Sequence, residues 1–300
     1  MNKTRIIFVG NYKGGVGKTT SVLNFAEKFT ERGNKVLVMD IDPQSSLSEI
    51  LINNNQNELS SFSKSYPEKT LNYVFDLNIT KIKKYNNLVL KFDQNIIQHY
   101  NKEKYDFIVS SLFYRDGLGL DELSLRMEDN IEYLSILKNF LDTILSMVKY
   151  DYVLIDCPPT NNLITKSAFL LSDYYIIPTI LDGISTNGVA HYINTVTKTY
   201  NKYCIESEDA VIAKHFFGNK PQLIGIFTTF IRKQVNYDTE REIFINTLKQ
   251  QCNGEKIYFF KEEINNYIDI ARSTVMGTAS VARPDYSELS DRILQRINQI

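Results

Sequence analysis

The chain is poor in the features that would settle its class by composition alone. It has three cysteines, Cys157, Cys204 and Cys252, far apart and with no C-x-x-C pair. That spacing argues against a disulfide framework or a zinc site and suits a reducing cytoplasm. No apolar run approaches the ~20 residues a membrane span requires. The N-terminus lacks an apolar signal segment, so no leader is expected. Neither sign of charge dominates: 34 Lys and Arg against 35 Asp and Glu leave a net charge of −1. This argues against a wholly basic nucleic-acid binder but leaves room for a local basic patch. The hydrophobic fraction of 43% and charged fraction of 23% are those of an ordinary globular protein, and 300 residues fit one large domain or two small ones.

What is present is concentrated near the start. Ile6-Ile7-Phe8-Val9 reads as a buried strand, and the stretch from Ser21 to Phe29 has helical apolar spacing. Between them runs Lys13-Gly14-Gly15-Val16-Gly17-Lys18-Thr19-Thr20. Strand, glycine loop and helix form the context of a phosphate-binding loop. Glycines let backbone N–H groups turn inward, and the helix N-terminus adds partial positive charge. Lys18 can reach β- and γ-phosphate oxygens, and the Thr19 hydroxyl can ligate Mg²⁺. The loop is irregular, because the usual pattern places glycine at position 12, where this chain has Tyr12, and a second lysine, Lys13, opens the loop.

Two further acidic positions stand at strand ends. The run Lys35 to Asp40 reads as a strand ending in Asp40-Ile41-Asp42-Pro43-Gln44. Carboxylates there lie where open α/β sheets hold ligands, although a capped turn stopped by Pro43 would look the same. The run from Tyr150 to Pro159 reads as a buried strand ending in an acid, a Walker B pattern in which Asp156 contacts Mg²⁺ through water. Cys157, which follows, reads as a packed thiol, since no activating partner is suggested.

With Asn11, the stretch N-x-K-G-G-V-G-K-T-T resembles the deviant Walker A motif of the ParA/MinD family of P-loop ATPases, and D-x-D-P-Q and D-C-P-P resemble its other two motifs. The resemblance runs from Ile6 to the C-terminus and is weakest in the middle. It implies ATP as the nucleotide and an ATP sandwich dimer in which Lys13 contacts the partner's phosphates. It gives Asp42 the orientation or activation of the attacking water, and Asp40 a part in the Mg²⁺ shell. It also implies nonspecific DNA binding by the dimer, a ParB-like adaptor protein bound at a centromere-like site that stimulates hydrolysis, plasmid or chromosome partition, and a cytoplasmic, nucleoid-associated location. Longer members carry a helix-turn-helix segment before the loop, for which this chain has no room, so the short class is expected.

The rest of the chain alternates strands and helices, which predicts an α/β fold, a doubly wound, mostly parallel sheet flanked by helices. Further strands are expected at Tyr105 to Ser110, Tyr174 to Pro178, Ile224 to Phe230 and Lys256 to Phe260. Helices are expected at Ile131 to Val148, Gly188 to Val196, Arg232 to Gln250 and Tyr286 to Ile300. Residues 1–300 read as one ATPase domain, with 52–105 less regular and possibly an elaborated insertion, in which Leu71 to Phe75 resembles the short helix that follows the family's second motif. Lys81, Lys83, Lys84 and Lys91 read as a solvated face. Arg232, Lys233, Arg241 and Arg272 are the candidate DNA patch, although Gln234 and the stretch from Glu262 to Asn266 lack arginines that the family carries there. The alternative is a MinD-like positioning ATPase held on a membrane by its C-terminal helix. Glu288 and Asp291 dilute the charge of that helix, and packing against the sheet explains its apolar stripe better.

Overall fold

The computed structural model describes residues 3–55, 57–85, 94–100, 104–231, 237–252, 255–265 and 284–300. Its centre is an eight-stranded sheet in the order β3-β4-β2-β5-β1-β6-β7-β8. The strands are β1 (Arg5–Val9), β2 (Val36–Asp40), β3 (Gln98–Tyr100), β4 (Tyr105–Ile108), β5 (Tyr152–Asp156), β6 (Tyr174–Thr179), β7 (Gln222–Ile231) and β8 (Phe259–Asn265). The pairs are parallel except the short edge strand β3, which runs antiparallel to β4.

Alternation along the strands builds two cores. Ile6, Phe8, Leu37, Met39, Val153 and Ile155 face one layer, where α4 (Leu71–Tyr85), α6 (Ile131–Met147), α7 (Leu163–Leu171) and α8 (Gly183–Asn201) contribute buried side chains. Ile7, Val9, Val36, Val38, Tyr152 and Leu154 face the other, which holds α1 (Lys18–Glu31), α2 (Ser46–Asn54) and α3 (Leu59–Ser65). Among the described residues the remaining α-helices are α5 (Leu120–Leu125), α9 (Ala210–Phe217), α10 (Asp238–Gln251) and α11 (Pro284–Ile297). Burial on both faces is why the strands read as continuous apolar runs.

Register fixes the functional edge. Asp40 on β2 pairs with Asp156 on β5, and Asp156 pairs with Val9 on β1. Both carboxylates therefore stand beside the loop that follows β1, at the carboxyl edge of the sheet.

Several elements differ from the sequence reading. The 52–105 stretch is mostly helical among its described residues. Its helix spans Leu71–Tyr85 rather than five residues, because Leu71, Val74, Phe75, Ile79 and Ile82 keep helical spacing and bury together. Lys83 and Lys84 are exposed on it, and Lys91 lies outside the described residues. The α8 helix begins five residues early, at Gly183, because the Asp182 side chain caps it. The last strand is shifted to Phe259–Asn265, and α10 starts at Asp238, with 232–236 outside the described residues. The apolar stripe of α11, with Tyr286, Leu289, Ile293 and Ile297, is buried in the second core. Arg32, which caps the C-terminus of α1, ties α11 down through Asp291 and the Ser287 carbonyl. Among the described residues no helix is long and apolar enough to cross a membrane.

Candidate functional site

The loop after β1 is held from outside as well as by its own sequence. Gly10 donates to the Ile176 carbonyl at 3.2 Å, and Asn11 donates to the Pro178 carbonyl at 2.9 Å. Asn11 Oδ1 accepts from Lys13 N at 3.0 Å, and Thr229 at the tip of β7 donates to the Val16 carbonyl at 3.0 Å. Gly15 and Gly17 adopt left-handed φ values of +71° and +81°, the conformation for which glycine is the least costly residue. A Cβ on Gly14 or Gly15 would meet open space, so the loop presents a bare backbone cradle. Gly10 is glycine for a different reason: a Cβ there would lie 1.8 Å from Tyr192 Oη of α8. Tyr12, which replaces the usual glycine, packs its ring on Tyr192 at 4.8 Å and His191 at 5.4 Å. The irregular position is thereby absorbed into the α8 interface.

Three carboxylates and two lysines meet at this edge. Lys18, 7% exposed, donates to the Lys13 carbonyl at 3.2 Å. Burial pulls its pKa down, against the opposing effect of Asp156 and Asp42. Thr19 donates to Asp156 Oδ2 at 2.6 Å. Asp156 Oδ1 is buried with no hydrogen-bond partner among the described residues. Burial, and then the neighbouring Asp40, push the Asp156 pKa well up. Asp40 is pushed up to about 7, first by burial and then by Asp42, with bonds from Ser48 and Asp42 pulling the other way. An orphaned buried carboxylate oxygen beside a hydroxyl and a bare glycine cradle fits a divalent cation paired with a polyphosphate. Cys157 is fully buried, and burial raises its thiol pKa, in keeping with a packed thiol.

The structure thus brings together Lys13, Gly14, Gly15, Val16, Gly17, Lys18, Thr19, Thr20, Asp40, Asp42 and Asp156. It places Lys13 against its own chain: Nζ forms an ion pair with Asp182 and bonds Ser185 Oγ at 3.0 Å. Sequence reasoning passed over Asp182 and Ser185. The D-x-x-S spacing of a helix N-cap was the available signal, with Ser185 N donating to Asp182 Oδ1 at 2.7 Å. Ser45, Ser48 and Ser110 were also missed, and no local motif marks them.

Only Arg241 of the expected basic patch falls among the described residues. Arg232, Lys233 and Arg272 lie outside the described residues. Arg241 is an ion-pair partner of Glu263 and lies over the Phe259 ring at 5.6 Å.

A family model described as an AAA domain matches residues 4–207, more than half of the chain. The chain is 30% identical over 193 residues to the sporulation initiation inhibitor protein Soj of Bacillus subtilis, covering 64% of each. It spans 54–64% of the length of the curated relatives it matches first. Among solved structures it is similar to a Borrelia burgdorferi B31 protein assigned to plasmid partition and bound to AMPPNP, with a TM-score of 0.67, 22% identity and 99% of each chain covered. It is also similar to pNOB8 ParA bound to nonspecific DNA, with a TM-score of 0.64, 19% identity and the same coverage. At these identities the structural likeness establishes the fold.

Proposed function

The chain belongs to the AAA-domain family, among its ParA/MinD-type P-loop ATPases, and on that premise we propose a Mg²⁺-dependent ATPase that dimerises on ATP. The dimer holds DNA without sequence preference and serves plasmid or chromosome partition with a ParB-like adaptor that stimulates hydrolysis. Residues 1–300 act as one ATPase unit in the cytoplasm. The observation that carries the reading is the juxtaposition of a two-lysine glycine loop with Asp40, Asp42 and Asp156 at one sheet edge.

Each residue has a role in this reading. Backbone N–H groups from Gly14 to Thr20 cradle the phosphates, and Lys18 neutralises charge developing on the transferred group. Thr19 would hold Mg²⁺, with Asp156 contacting it through water and Asp40 helping to hold its shell. Mg²⁺, when bound, offsets phosphate charge. Asp42, less buried than either neighbouring carboxylate, orients the attacking water. Lys13 exchanges Asp182 for the partner subunit's nucleotide. Pairing two weak basic patches in the dimer supplies avidity for DNA, which gives ATP control over DNA retention. That patch comprises Arg232, Lys233, Arg241 and Arg272, and Arg241 must leave Glu263 to join it.

The test is a set of three variants in ATPase, sedimentation and nucleotide-binding assays. Lys18→Ala nearly abolishes hydrolysis. Lys13→Ala keeps some nucleotide binding and loses the ATP-dependent dimer, and a Lys13→Ala protein that dimerises like wild type sinks the deviant-loop reading. Asp42→Ala loses ~10²–10⁴-fold in rate while the ATP dimer persists. Retention on anionic liposomes in place of DNA would favour the MinD-like alternative, which the burial of the α11 stripe opposes.

A further inference from the structure

We propose that three buried serines, Ser48, Ser110 and Ser45, linked by their hydroxyls and the Ser110 N–H, position Asp42 for hydrolysis. The proposal rests on the ATPase reading above, in which Asp42 orients water. Asp42 is held at three points. Its N–H donates to Asp40 Oδ1 at 3.0 Å, its carbonyl accepts from Ser45 N at 2.8 Å, and its Oδ1 accepts from Gln44 N at 2.9 Å. Two of these points lead back to the tip of β4.

The first arm runs through Asp40, a carboxylate held from both sides. Oδ1 takes the Asp42 N–H, and Oδ2 accepts both from Ser48 N at 2.8 Å and from Ser48 Oγ at 2.7 Å. Ser48 Oγ in turn accepts from Ser110 N at 2.9 Å. The Ser48 hydroxyl therefore links the Asp40 carboxylate to Ser110, two residues past the end of β4. The second arm is the bond from Ser110 Oγ to Ser45 Oγ at 3.2 Å. Ser45 sits at φ +54°, a left-handed conformation that a non-glycine residue holds only when its surroundings impose it. Ser45, Ser48 and Ser110 are each 1% exposed or less, so water does not substitute for a lost bond without rearrangement. On this geometry the tip of β4, which touches neither the glycine loop nor Asp42 by any hydrogen bond described, sets where the Asp42 carboxylate points.

A purely structural account would make these bonds a helix cap, since Ser48 N lies in the first turn of α2. Ser48→Ala separates the two accounts, because it keeps the capping N–H and removes only the hydroxyl. The expected result is a kcat about tenfold lower with the KM for ATP within about twofold, the pattern of a misplaced catalytic group over an intact binding site. Ser48→Thr restores the rate. In the Asp42→Ala background Ser48→Ala causes no further loss, because its effect passes through Asp42. Ser110→Ala, which keeps every backbone bond and loses only the link to Ser45, shows a smaller loss confined to kcat. A wild-type kcat in Ser48→Ala overturns the proposal, as does a full additional loss on top of Asp42→Ala. If Ser48→Ala does not fold, a wild-type kcat in Ser110→Ala overturns it and a kcat-selective loss there supports it. Absence of ATP hydrolysis by the wild type, or normal turnover by Asp42→Ala alone, would instead fail the ATPase reading on which the proposal rests.

Discussion

Replacing Asp182 by Asn should make the ATP-dependent dimer form more readily. Lys13 is paired in cis with Asp182, and the trans contact proposed for it requires that pair to open. Asp182 also caps α8, accepting from Ser185 N at 2.7 Å. Asparagine caps about as well as aspartate, so the substitution removes charge and spares the helix. The side chains are 32% and 40% exposed, which places the pair among solvent-screened ones worth ~0.2–1 kcal/mol. Two protomers each lose that restraint, so the dimerisation constant should rise by about twofold to thirtyfold. Acid should act in the same direction. Partial burial raises the Asp182 pKa, but bonds from Lys13 and Ser185 outweigh it and leave the value below normal. The restraint is therefore intact above the ordinary carboxylate range and fades as pH falls through the depressed value. Sedimentation equilibrium with a non-hydrolysable ATP analogue reads the change. A weaker dimer would mean that Asp182 belongs to the dimer rather than restraining it. An unchanged dimerisation constant in Asp182→Asn would show that the pair imposes no restraint.

Gly10→Ala drives a Cβ into the Tyr192 ring and should cost ~1–3 kcal/mol by thermal melting, with Tyr192→Leu recovering part of it; an unchanged melt would refute the contact. Asp40, at about 7 in the folded protein and near 3.9 when unfolded, binds a proton on folding between those values. Its contribution to the stability of the ligand-free protein should therefore decline as pH rises from about 4 to 7 and level off above, so Asp40→Asn should melt with a shallower pH dependence than wild type between pH 5 and 8. DNA retention with ATP should fall linearly with salt on a log–log plot, and Glu263→Gln, by releasing Arg241, should strengthen it; a weaker retention in that variant would remove Arg241 from the patch.

The glycine loop and the acids at the sheet edge were legible because their signals are local. Glycines that must take positive φ, a lysine and a threonine at a helix start, and acids at strand ends are set by neighbours a few residues away. The α11 stripe was legible at Leu289, Ile293 and Ile297 for the same reason, as it repeats within one helix, whereas the burial of Tyr286 in that face was not read. The middle of the chain was harder. The stretch from Leu71 to Tyr85 has helical spacing, but the intervening Asn, Asp and Lys residues obscured it. The three-residue strand β3 carries almost no pattern and exists only because β4 offers it an edge.

The sequence by itself determined the class of fold, the glycine cradle and the set of charged groups at the carboxyl edge of the sheet. Only the tertiary structure decided their partners: Lys13 with Asp182 across 169 positions, Ser110 with Ser48 across 62, and Gly10 beneath Tyr192. The physical reason is that local geometry follows from backbone sterics and hydrophobic period. Which polar groups meet inside the fold depends instead on strand order and register, and these are fixed only when the whole sheet buries both of its faces.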